Sequence, residues 1–153
     1  MKLTRQIILG SLAIALVVLA GIAFFGKVTV YHHVPQKAAA AARTFARLAF
    51  IDQDYKQAFH SLDDKARAGL TLEQFMEGIK HMHPHAFPVN VEPEDYEPMP
   101  GQKALMIYLS GANGGEKMHY RFVLAGDDAE GYRVSRFFRG SGPYPQSAQR
   151  KPL

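Results

Sequence analysis

KALMIYLSGANGGEKMHYRFVLA, residues 103–125, is the stretch from which the fold of this chain is read. Ala104 to Leu109 is almost wholly apolar, as a strand buried on both faces requires. From Lys117 to Ala125 the pattern alternates instead. Met118, Tyr120, Phe122 and Leu124 fall on one face, and His119, Arg121 and Val123 on the other. Asn113–Gly114 stands between the two runs, a pair that accepts the positive φ of a tight antiparallel turn. The reading is a hairpin. Asp127 to Gly131 is then a second turn, and Tyr132 to Arg139 the last strand of the meander.

Upstream the period changes to that of helices. Gln36 to Asp52 begins Ala-rich and continues with Ala41, Phe45 and Leu48 as an apolar stripe, leaving Arg43 and Arg47 outside. Asp54 to Leu62 is a second short helix. A third begins at Thr71, which forms a capping box with Gln74 before Leu72, Phe75, Met76 and Ile79 fall on one face. Pro84 stops it. Phe87 to Val91 reads as a short strand, and Glu92 to Gly101, with Pro93, Pro98 and Pro100, as a loop. Helices followed by antiparallel strands define an α+β domain over residues 37–139, its helices packed on one face of a curved sheet. Residues 28–36 are a linker. Residues 140–153 have Gly, Pro, Ser and Gln without periodicity and are expected as a disordered tail.

Ahead of this domain, Ile7 to Phe25 runs nineteen residues without a charge. A helix of that length spans about 28 Å, close to the hydrocarbon thickness of a bilayer. Residues 1–27 are therefore expected as an N-terminal membrane anchor, with residues 7–25 in the lipid. Lys2 and Arg5 hold the N-terminus in the cytoplasm and place the domain on the extracytoplasmic side, as a single-pass protein of the inner or plasma membrane. The competing reading is a cleaved signal peptide with Val18 and Ala20 before the cut. The apolar run continues past them through Phe25, which a span needs and a signal peptide does not.

The net charge of +4 does not describe the domain. Three of the 18 Lys and Arg (Lys2, Arg5, Lys27) flank the apolar run, leaving 15 against 14 acidic residues, so no nucleic-acid role follows. The charge is uneven all the same. Glu92, Glu94, Asp95 and Glu97 form an acidic patch, while Arg133, Arg136, Arg139, Arg150 and Lys151 make the end basic. Intramolecular pairing or a solvated face explains both more simply than a partner does. With no cysteine, disulfides, thiolate metal sites and a Cys nucleophile are excluded.

Phe45 and Leu48 on a first helix, Asp54–Tyr55 with Ala58, Leu70–Thr71 with Glu73 and Phe75, Gly101 with Ala104 and the closing Tyr132–Arg133–Val134 together resemble the NTF2-like (cystatin-like) superfamily, in its membrane-tethered, uncharacterised bacterial branch. The resemblance implies a cone between helices and curved sheet. It also implies, in some members, isomerase or dehydratase chemistry by Asp, His and Tyr inside that cone. Here Tyr108, His119 and Tyr120 lie on strands able to line it. Tyr108 and Tyr120 are thus candidate ligand-binding residues, and His119 and His81 candidate bases, with no catalytic motif carried over.

His81, His83 and His85 lie within five residues and are the candidate metal ligands. Residues two apart on a helix diverge, so the spacing favours a polar helix end over a preformed site. No phosphate loop, nucleophile elbow or His-Glu-x-x-His pair occurs. The expectation is a non-enzymatic binding or assembly module without a cofactor, taking a protein partner or a small apolar ligand. The alternatives are a tethered enzyme with a pocket His, and a cleaved secreted binding protein.

Overall fold

The computed structural model describes residues 31–153. The expected anchor, residues 7–25, lies outside the described residues, and among those described no helix is long and apolar enough to cross a membrane. The chain runs through α1 (Pro35–Ala46), a π-helical turn (Arg47–Ile51), α2 (Tyr55–His60), α3 (Asp64–Ala68) and α4 (Leu72–Met82). The strands β1 (Asn90–Pro98), β2 (Ala104–Asn113), β3 (Glu116–Asp127), β4 (Gly131–Gly140) and β5 (Lys151–Pro152) follow. They form a five-stranded antiparallel sheet in the order β4-β3-β2-β1-β5, with helices on one face. The α+β architecture read from the sequence is the one observed.

Local chemistry accounts for the elements. Pro35 sits at the first turn of α1, where its missing N–H costs nothing. The helix therefore starts two residues inside the stretch expected as a linker. Ala38, Ala39, Ala42 and Ala46 are buried, so small side chains let α1 lie close on the sheet while Phe45 reaches into it. The π-turn continues this face with Ala49 and Phe50. It closes through Asp52 N–H to the Arg47 carbonyl at 2.8 Å, with Gln53 at φ 53° beyond it. Thr71 and Gln74 form the expected capping box of α4.

In the sheet, Asn113 pairs with Glu116 across Gly114 and Gly115, at φ 56° and 92°. Both turn residues have positive φ, and a glycine takes each without a Cβ penalty. Register shifts at Pro93/Asp95 and Val123/Leu124 bend the sheet. Leu105, Ile107 and Leu109 of β2 join Met118, Tyr120, Phe122 and Leu124 of β3 under the helices.

Two expectations are corrected. The strand placed at 87–91 begins at Asn90 and runs to Pro98, through the segment expected as a loop. Prolines are tolerated there because β1 is nearly an edge: β5 pairs only with its Asp95 and Tyr96, and the bulge falls next to Pro93. The tail 140–153 is not without structure either. Lys151 and Pro152 form β5, Leu153 N–H donates to the Glu94 carbonyl at 3.1 Å, and Arg150 is anchored on the sheet. A segment too polar to show periodicity is held by an ion pair and a two-residue ladder.

Candidate functional site

The space between the helices and the sheet is filled by aromatic rings. Phe45 meets Phe137 at 5.0 Å and Phe122 at 5.6 Å between ring centroids, and Phe50 stacks on Tyr120 at 5.1 Å. Among them lies His83, 4 % exposed, between the rings of Phe50 and Phe87, each 4.7 Å away. Its Nδ1 lies 2.9 Å from the Ile79 carbonyl and its Nε2 2.9 Å from the Tyr120 hydroxyl. The carbonyl can only accept, so Nδ1 carries the proton and Nε2 of the neutral ring accepts from Tyr120. Burial pushes the His83 pKa down and that of Tyr120 up, so both are neutral near pH 7.

The three clustered histidines do not converge. His83 points into the core with both nitrogens engaged, whereas His81 and His85 are exposed. Among the described residues no group of three His, Asp or Glu side chains has the geometry to hold a metal ion. His81 faces solvent, away from any enclosed base position.

Openings occur instead along β4, the sheet edge. Leu62 bridges to Val134, and Asp63 N–H donates to the Val134 carbonyl at 2.9 Å. On one side of this clip a cleft of about 450 Å³ lies between α1 and β4, lined by Ala40, Ala41, Thr44, Phe45, Tyr132 and Arg133. On the other, a cleft of about 490 Å³ lies between α3, α4 and β4, with Leu62, Ala66, Leu70, Phe75, Met82 and Phe137 in its walls. Both are predominantly apolar.

Tyr108 and Tyr120, offered together as lining one cone, lie on opposite faces of the sheet. Tyr108 pairs with Arg121, the neighbour of Tyr120, so alternation turns it away from the helices. Its hydroxyl donates to Glu97 at 2.7 Å, and burial with that carboxylate raises its pKa to about 12. His119 is half-buried on the same outer face, beside a polar hollow of about 190 Å³ with Tyr108, Glu94, Lys117 and Tyr144. Among the described residues no hydrogen bond orients its imidazole. The Arg121 guanidinium lies 5.2 Å from the Phe138 ring and 5.3 Å from that of Tyr144, its buried Nε without a partner.

The acidic patch of β1 is largely paired within the chain: Arg43 with Glu92, Lys117 with Glu94, Arg150 with Asp95. Sequence reading missed the clefts of β4 and the docking of the tail. The 3.6-residue stripe of α4 hints at the former; nothing but the opposite charges of Asp95 and Arg150 signals the latter. No protein-family profile, curated protein or solved structure matches the chain.

Proposed function

We propose that this chain is a single-pass membrane protein whose α+β domain is a binding or assembly module on the extracytoplasmic side, with residues 7–25 in the bilayer and the N-terminus in the cytoplasm. The uncharged run and its leading Lys2 and Arg5 support the anchor. Helices on one face of a bent antiparallel sheet support the likeness to the tethered NTF2-like proteins. One observation carries the choice of binding over catalysis. The interior, where a cone enzyme would hold its substrate, is packed with Phe45, Phe50, Phe122 and Tyr120, while two of the larger openings are apolar clefts beside β4. Such clefts suit a protein partner or a small apolar ligand.

The full-length chain, expressed in a bacterial host with tags at both ends, should sediment with membranes and resist an alkaline wash. Protease added to spheroplasts should remove the C-terminal tag and spare the N-terminal one. Crosslinking in native membranes should trap a partner. Recovery of the uncut chain in the detergent-free aqueous fraction would refute the anchor. N-terminal sequencing that begins after Ala20 would replace it with the secreted binding protein. The second reading, a tethered isomerase or dehydratase using His119, draws on the polar hollow beside that residue. It requires that small carbonyl compounds shift the His119 ring resonances; if none does, this reading falls.

A further inference from the structure

The outer sheet face holds a site in which one arginine is read by an aromatic plate and a carboxylate. The Arg150 guanidinium lies 4.0 Å from the centroid of the Tyr108 ring. Its Nε and Nη2 both reach Asp95 Oδ2, at 2.8 and 2.7 Å, and its Nη1 donates to the Tyr144 carbonyl at 3.0 Å. The arginine side chain is 7 % exposed. The receiving groups are held without it: Tyr108 and Asp95 are register partners across β1 and β2, and the Tyr108 hydroxyl is fixed by Glu97. Ser147 donates to the other Glu97 oxygen at 2.9 Å. A flat, weakly hydrated guanidinium suits such a plate and carboxylate better than an ammonium does.

The receiving half belongs to the sheet, and the inserted half to the segment that follows β4. That segment leaves β4 through Gly140, Ser141, Gly142 and Pro143, and among the described residues its ladder to the sheet is β5 alone. The bend is tight. A Cβ at Gly140 would come within 2.9 Å of the Gly142 carbonyl oxygen and 3.1 Å of the Tyr144 ring. A short, constrained hinge next to a separable element favours exchange of that element between copies.

We propose that Tyr108, Asp95 and Glu97 form an arginine-reading site that segment 144–153 fills interchangeably in its own chain and in a second copy, so that two chains pair by exchanging tails. The proposal deepens the assembly reading, and rests on it, by naming a second copy as the partner. Closed and exchanged forms contain the same contacts, so concentration and the hinge set the balance between them. Confinement to one membrane raises the effective concentration.

The chain has no cysteine, which permits a direct test. Detergent-solubilised full-length chain carrying Tyr96→Cys is mixed with chain carrying Lys151→Cys, positions that are register partners between β1 and β5. Oxidation should give a disulfide-linked heterodimer. It should fall at least tenfold with Arg150→Ala in the tail donor or Asp95→Asn in the acceptor, and rise with Gly140→Ala, which opens the bend. A single chain carrying both cysteines that closes on itself, with no heterodimer on mixing, overturns the proposal. So does a heterodimer indifferent to Arg150→Ala. Should the cysteine variants fail to fold, a labelled peptide of residues 144–153 decides the matter. It should bind full-length Arg150→Ala chain saturably and not its Asp95→Asn derivative; absence of binding overturns the proposal. If exchange fails while crosslinking still captures other proteins, the assembly reading stands and only the tail exchange is lost.

Discussion

The His83 imidazole and the Tyr120 hydroxyl meet at 2.9 Å, tying the end of α4 to the middle of β3 inside the core. Burial is the main cause lowering the His83 pKa from its ordinary 6.5; the Ile79 carbonyl opposes it and Arg139 reinforces it. The unfolded chain therefore takes up a proton near pH 6.5 more readily than the folded chain does. The contribution to stability is full above that pH and is lost as pH falls from there toward the lowered folded value. The slope is bounded above by the about 1.4 kcal/mol per pH unit of one proton. Denaturant melts from about pH 7.5 to 5.5 should show this loss. His83→Gln should flatten the acid limb.

Tyr120→Phe removes the donor to His83 Nε2 without emptying the ring site. A buried acceptor left unpaired costs about 1–3 kcal/mol. Chemical denaturation should show the midpoint falling at constant m-value.

Phe45 packs against Phe122, Phe137, Phe75 and Phe50. Phe45→Ala should cost about 3–5 kcal/mol by loss of transfer energy and the cavity left behind. Val89→Ser, at a position 66 % exposed, should stay within about 0.5 kcal/mol of the parent.

Two glycine-to-alanine changes should act with opposite sign. Gly126 has φ 114°, and a Cβ there would meet the Gly131 carbonyl oxygen at 1.9 Å, so Gly126→Ala must force the β3–β4 turn apart. Gly78 lies in α4 with nothing within 4 Å of a new Cβ. Gly78→Ala should stabilise by about 0.5–1 kcal/mol through helix propensity alone. Thermal melts of the two variants should move in opposite directions.

What could be read from the sequence was what local chemistry decides. Thr71 and Gln74 mark the start of α4 because the cap needs only those two side chains. Met118 to Leu124 mark β3 because alternation is written into consecutive residues. The course of β1 was hidden, since Pro93 and Pro98 signal a loop unless the strand's place near the sheet edge is already known. His83 looked like one of three equivalent imidazoles, and only the turn that ends α4 sends it inward while His81 and His85 stay outside. The seat of Arg150 depends on Asp95 and Tyr108, far away along the chain. No pattern of neighbours encodes such a pairing.

The short strand at the C-terminus also decides how the sheet ends. Pro152 has no N–H to offer outward, and Lys151 brings a charge to the rim. Stacking of sheets side by side into fibrils requires an uninterrupted row of donors and a rim without charge. A chain clipped before Arg150 would bare the β1 backbone from Glu94 to Tyr96 and should aggregate faster than the intact chain under the same conditions, as light scattering would show.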